Sequence, residues 1–203
     1  MGSVVRYLDE TAGRRPDKVA FTDQDRSVTF GGLRGAALAL AAHIAASVPD
    51  PAPDGCGGWA GPGGGQGPGR ASGPILIAME KSVDAIAAFM GALYCGDFYC
   101  PVDLGLPDMR IGSIVRTLEP AMVIADRSAV GRMEGIVGSA GLRVPVMGYG
   151  GGAPGGSGDG AGDLSGAGQG EREAKRRRER WGRCWKAPMA IMWRCWRPNV
   201  RAG

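Results

Sequence analysis

The sequence predicts an α/β fold with a parallel sheet and flanking helices. Four short runs, residues 74–79, 98–102, 121–125 and 143–147, have strand length, and helical patterns of ten to twelve residues separate them. Strands that alternate with helices at this spacing form right-handed βαβ units. The first run, Pro-Ile-Leu-Ile-Ala-Met, is apolar without alternation, as expected for a strand covered on both faces.

Taken in order, Val4, Val5, Leu8 and Ala12 recur at helical spacing and predict a short amphipathic helix over residues 3–14. Pro16 ends it, because proline cannot continue a helix. Residues 18–22 (Lys-Val-Ala-Phe-Thr) read as a strand, residues 23–27 as a polar turn, and residues 28–30 as a strand paired back to the first. Residues 31–48 are rich in Ala and Leu. Leu33, Ala37, Leu40, Ala41 and Ile44 share a face there, which predicts a buried helix.

The second block begins at Pro74. Ser82 is a natural N-cap for a helix over Val83–Tyr94. Gly96 supplies the left-handed residue that ends it. After the strand 98–102, residues 107–117 form a helix with Pro107 in its first turn. The strand 121–125, a helix over 128–137 and the strand 143–147 complete the series.

Three stretches depart from this pattern. Fifteen of the 25 residues in 49–73 are Gly or Pro, and twelve of the 23 in 148–170 are Gly. Such compositions bury too little apolar surface to offset the entropy of ordering the backbone. The chain therefore divides into residues 1–147, a globular unit interrupted by a flexible insertion at 49–73; residues 148–170, a Gly-rich disordered segment; and residues 171–203, a basic Arg/Trp-rich tail.

Composition excludes several classes. The net charge is +4, and its excess lies in the tail. The five cysteines, Cys56, Cys95, Cys100, Cys184 and Cys195, form no Cys-x-x-Cys pair, and His43 is the sole histidine, so no metal site is expected. The N-terminus is charged throughout and has no apolar core of a signal peptide. No uninterrupted apolar run reaches membrane length. The expectation is a cytoplasmic protein with no membrane partner.

Two motifs carry a family resemblance. Val28-Thr29-Phe30-Gly31-Gly32-Leu33 is similar to a Leu-Thr-Tyr strand end leading into a helix. Leu93-Tyr94-Cys95-Gly96-Asp97-Phe98-Tyr99-Cys100-Pro101-Val102-Asp103 resembles the pattern Leu-Lys-Ala-Gly-x-Ala-Tyr-x-Pro-Ile-Asp, and Leu104 to Ile111 continues it in register. These are core motifs of the adenylate-forming (AMP-binding) ligases, on the side of amino acid adenylation domains of nonribosomal peptide synthesis and of D-alanine–carrier ligases. The resemblance covers Val4 to about Met147. It implies an N-terminal subdomain in which these motifs shape packing and do not touch ATP. Arg110, a few residues beyond Asp103, is placed to pair with its carboxylate. Cys95 and Cys100 replace small or aliphatic residues and are expected to act as small hydrophobes.

The resemblance also implies a reaction. The family activates a carboxylate with ATP and Mg²⁺ as an acyl-adenylate, then passes it to a carrier-protein phosphopantetheine or to coenzyme A. That needs a Ser/Thr/Gly loop ending in Pro-Lys-Gly, acids for Mg²⁺ and ribose, and a C-terminal lysine. None is found in these 203 residues. The expected catalytic, cofactor-binding and metal residues are therefore none, and the expected activity of this chain alone is none. Residues 148–156 (Gly-Tyr-Gly-Gly-Gly-Ala-Pro-Gly-Gly) loosely match a dinucleotide loop, but no helix pattern follows to aim at a phosphate.

The tail has two readings. Arginines interleaved with Trp181, Trp185, Trp193 and Trp196 suit a nucleic-acid or anionic-surface interaction. The second, which the composition favours, is an out-of-frame segment: four of the five tryptophans in the last 23 residues, with two cysteines and many arginines, is what GC-rich DNA yields when read out of frame. Back-translation of residues 183–203 shifted by two nucleotides gives Leu-Glu, a Gly, then Val-Ala-x-Leu-Ala, which is more ordinary core sequence.

Overall fold

A computed structural model describes residues 4–24, 26–48, 74–150 and 172. The expectations for 49–73, for 151–170 and for the tail concern residues outside this set. The described chain runs α1 (Val4–Arg14), β1 (Val19–Thr22), β2 (Ser27–Thr29), α2 (Phe30–Ser47), β3 (Ile75–Ala78), α3 (Val83–Tyr94), β4 (Tyr99–Pro101), α4 (Asp108–Leu118), β5 (Met122–Asp126), a 3₁₀ turn over Arg127–Ala129, α5 (Val130–Ser139) and β6 (Val146–Tyr149).

The predicted α/β fold with a parallel sheet is present. β1 and β2 form an antiparallel hairpin. β3 to β6 form one sheet in the order β4-β3-β5-β6, and every neighbouring pair is parallel. The chain starts in the middle at β3, steps outward to β4, crosses back to β5 on the other side of β3, and steps outward again to β6.

Period-two alternation divides the sheet between two cores. Ile75 and Ile77 of β3 and Met122 and Ile124 of β5 face α1, α2 and α3. Leu76, Ala78, Val123 and Ala125 face α4 and α5. All of these are buried, which is why β3 and β5 read as unbroken apolar runs. Each of the larger side chains in this set, Ile, Leu, Met or Val, contributes about 1.5–3 kcal/mol on burial.

The helical face of α2 is buried as its spacing predicts, at Leu33, Ala37, Leu40, Ala41 and Ile44. It packs on α3 at Gly91, where an added Cβ would stand 2.8 Å from Leu40 Cβ and 3.2 Å from the Ala37 carbonyl oxygen. Among the described residues α2 alone is long and apolar enough to cross a membrane, an exception to the expected absence of such a segment. Its apolar face is occupied in the core by α1 and α3. Val4 departs from the predicted stripe: Val5, Leu8 and Ala12 are buried, but Val4 is 49% exposed, because it starts the helix at the rim of the core.

Three boundaries differ from the sequence reading. Pro107 stands at the N-cap of α4 with extended backbone (φ −60°, ψ 144°), one residue before the first turn. The helix expected over 128–137 is divided into the 3₁₀ turn and α5. β6 begins at Val146 and ends at Tyr149, later than expected, because its register aligns Val146 with Val123 and Tyr149 with Asp126. Residues 143–145, with Pro145 among them, lead into it.

Candidate functional site

In an open parallel sheet, ligands bind beyond the carboxyl ends of the strands, where the winding reverses. That point lies here between β3 and β5. Its entrance is closed from within, because Asp126 Oδ2 accepts the Glu80 amide at 2.7 Å. The open space lies to the β4 side. A cleft of about 950 Å³ is walled by the hairpin (Phe21, Thr22), the turn after β3 (Glu80, Lys81), α3 (Ile86, Phe89) and the end of β4. Phe89 stacks on Tyr99 with ring centroids 4.5 Å apart and planes 10° from parallel, which fixes the aromatic wall.

The N-terminus of α3 stands beside this cleft and is already satisfied. Ser82 Oγ accepts the Ala85 amide at 3.2 Å. Asp23, reaching from the hairpin, accepts the Val83 amide at 2.8 Å through Oδ2 and the Arg26 amide at 2.9 Å through Oδ1. Asp84 on the first turn pairs with the Arg26 guanidinium. This hydrogen bond, together with the charges of Asp84 and Asp23, raises the Arg26 pKa further and outweighs the lowering effect of burial. Tyr149, at the end of β6, is pushed up to about 12 by burial and by the nearby Asp84. A helix N-terminus holds phosphate through free amides and a positive dipole end. Here the amides of Val83 and Ala85 are taken and two carboxylates stand over them, so the α3 terminus does not fit a nucleotide phosphate.

The motif residues occupy packing positions. Thr29 caps α2 by accepting the Gly32 amide at 3.1 Å. Gly96 has φ 80°, as the helix end requires. The thiol of Cys95 donates to the Ala41 carbonyl at 2.9 Å within the core. Burial raises the Cys100 pKa, so its thiol stays protonated and inert at neutral pH. Asp103 Oδ1 accepts the Gly105 amide at 2.8 Å. The expected pair between Arg110 and Asp103 does not form. Asp103 is turned into its own loop, and that loop is held instead by Arg132 of α5. Arg132 donates to the carbonyls of Leu104 (2.6 Å) and Leu106 (2.8 Å) and to Asp108 Oδ1 (2.8 Å).

Among the described residues no group of three or more His, Cys, Asp or Glu is placed to hold a metal ion. The glycine-rich segment after β5 does not begin as a loop: Gly148 and Tyr149 belong to β6, and Gly148 packs against Val130. Sequence spacing gave no signal for the Asp23–Val83, Arg26–Asp84 or Arg132 contacts, which join residues 24 to 60 positions apart.

No family model matches the chain. Phosphinothricin tripeptide synthetase PhsC of Streptomyces viridochromogenes is 28% identical over 128 residues, covering 63% of this chain and 10% of that protein. The D-alanine--D-alanyl carrier protein ligase of Bacillus cytotoxicus is 27% identical over 108 residues, covering 53% of this chain and 18% of that protein. The chain therefore spans less than a fifth of either relative. Among solved structures, VinN in complex with 3-methylaspartate shares the fold at TM-score 0.56 and 16% identity, covering 86% of this chain and 38% of that one. With the Leu93–Ile111 motif laid across α3, β4 and α4 of a parallel sheet, these likenesses support an adenylate-forming relationship: the chain is similar to part of a peptide synthetase and of a D-alanine carrier protein ligase, and it shares the fold of VinN.

Proposed function

We propose that residues 4–150 are the scaffold of an ATP-dependent ligase that activates an amino acid or another carboxylate as its adenylate, releasing pyrophosphate. The activated acyl group then passes to a carrier-protein phosphopantetheine or to coenzyme A, in the cytoplasm. The observation that carries this reading is the motif from Leu93 to Ile111, which forms one uninterrupted α3–β4–α4 crossover on a parallel sheet. The relatives support it, being a tripeptide synthetase and a carrier protein ligase by name.

Within that ligase the described residues shape and support the fold. The 203-residue sequence holds no Pro-Lys-Gly loop, and the α3 terminus is closed by carboxylates. ATP and Mg²⁺ are thus bound by other parts of the ligase, and this chain alone has no adenylating activity. The test is amino-acid-dependent exchange of pyrophosphate into ATP by the purified chain, across the common amino acids and simple aryl and alkyl acids. Exchange stays at background on this reading, and robust exchange with any substrate overturns the scaffold role. A chimaera in which residues 4–150 replace the matching segment of a D-alanine carrier ligase retains exchange. A folded chimaera without exchange counts against the family function.

A further inference from the structure

The β1–β2 hairpin is weakly anchored for an element that walls a cleft. Val19 and Phe21 are 51% and 43% exposed, and only Ala20 and Val28 lean on the core. The register slips between Val19 and Phe21. A two-stranded hairpin with so little apolar burial is marginal by itself, so its position depends on its two ends. At the base it is continuous with α2, and the Phe30 and Gly31 amides bond to the carbonyls of Lys18 and Pro16, both at 2.9 Å. At the tip the described residues make two polar contacts to the start of α3: Asp23 on the Val83 amide and Arg26 on Asp84.

The geometry points to a hinged lid: the hairpin pivots at Lys18–Phe30, and the Asp23 and Arg26 contacts on the α3 N-terminus latch it over the 950 Å³ cleft. Two features allow the latch to open without unravelling what it rests on. α3 keeps its own cap, since Ser82 Oγ holds the Ala85 amide whether or not Asp23 is present. The Phe89–Tyr99 stack joins α3 to β4, so it and the end of β4 stay in place when the hairpin moves. In the latched state Phe21 and Thr22 face half-buried Ile86 and Phe89 across the cleft, and opening widens access to this α3 wall. The latch is ionic and partly exposed, with side-chain exposures of 40% for Arg26 and 14% for Asp84, so added salt weakens it.

The experiment uses the full chain with a reporter cysteine, Ile86→Cys, and reads its alkylation by peptide mass so that the native thiols do not interfere. Arg26→Ala raises the labelling rate at position 86 roughly tenfold, as the open population grows. Salt at about 0.5 M raises it in the parent but adds little to Arg26→Ala. Asp84→Asn, which keeps the side-chain volume, gives the same direction. A second reporter, Ala125→Cys, lies in the core on the opposite face of the sheet and keeps its rate. An unchanged rate at position 86 overturns the lid. Equal acceleration at 86 and 125 also overturns it, because that is loosening of the whole domain. Hydrogen exchange gives an independent check: Asp23→Asn speeds the Val83 amide and leaves the Ala85 amide protected.

Discussion

Tyr94 Oη donates to Asp9 Oδ1 at 2.6 Å, joining the last residue of α3 to the middle of α1 across 85 positions of sequence. The same oxygen accepts from Arg34 Nε of α2 at 2.7 Å. One carboxylate thus ties three helices on one face of the sheet. Tyr94 is also the second residue of the motif that carries the family resemblance, so the motif is anchored at its start by a residue of the first helix.

Asp9→Ala removes the shared acceptor of a part-buried cation and hydroxyl. Removing one partner costs more than the net worth of the bond, because the others lose their compensation. With Asp9 at 29% and Arg34 at 37% side-chain exposure, solvent discounts the ionic share. The expected loss is about 1–3 kcal/mol by urea denaturation. A double-mutant cycle with Tyr94→Phe gives a non-zero coupling between positions 9 and 94. Purely additive losses would refute a shared role.

Gly91 sits where α2 and α3 come closest. Alanine there places a methyl group 2.8 Å from Leu40 Cβ, and the neighbouring Ala37 carbonyl, 3.2 Å away, leaves little room to shift. Helix propensity favours alanine by about 1 kcal/mol, and overpacking opposes it with about 1–3 kcal/mol. Gly91→Ala therefore lowers the thermal midpoint, whereas Gly131→Ala, with open space around its Cβ on α5, raises it.

Arg132 is the arginine that holds the loop after the motif. Arg132→Ala releases the Leu104 and Leu106 carbonyls and Asp108 together, and it speeds hydrogen exchange across residues 103–108. Arg132→Lys restores at most part of this, because an ammonium lacks the planar fork that reaches two carbonyls and a carboxylate. Arg110→Ala changes stability by less than about 0.5 kcal/mol, as an exposed site without such partners does. A larger loss at 110 than at 132 would reverse this assignment.

Tyr149 sets an alkaline limit. Below pH 10 the phenol is neutral in both the folded and the unfolded chain, and its burial is unopposed. Between pH 10 and about 12 the unfolded tyrosine ionises while the folded one does not, so stability falls as pH rises through that window. Raising the phenol from its ordinary value to about 12 corresponds to about 2–3 kcal/mol. In spectrophotometric titration Tyr149 ionises late, and Tyr149→Phe removes that late step and the associated part of the alkaline destabilisation. A Tyr149→Phe chain with the same alkaline profile as the parent would place the effect elsewhere.

Much of the fold was legible because its determinants are local. The unbroken apolar runs of β3 and β5, the Leu33-to-Ile44 stripe of α2 and the Ser82 cap each act within a few residues, and the structure places each where its pattern predicts. β6 was misplaced by about three residues because pairing with β5, not its own composition, sets its ends. The motif from Leu93 to Ile111 was legible for the same local reason, since each of its residues shapes a turn, a strand end or a helix start.

By itself, then, the sequence determined the order and kind of the elements, the parallel character of the sheet, and the likeness to adenylate-forming ligases. Tertiary structure alone decided which polar groups meet. It turned Asp103 into its own loop and gave that loop to Arg132, closed the α3 terminus with Asp23 and Asp84, and hung the hairpin beside an open cleft. The physical reason is range. Apolar periodicity and caps report on neighbours along the chain, whereas an ion pair or a borrowed cap depends on where a crossover returns the backbone, and no spacing in the sequence encodes that distance.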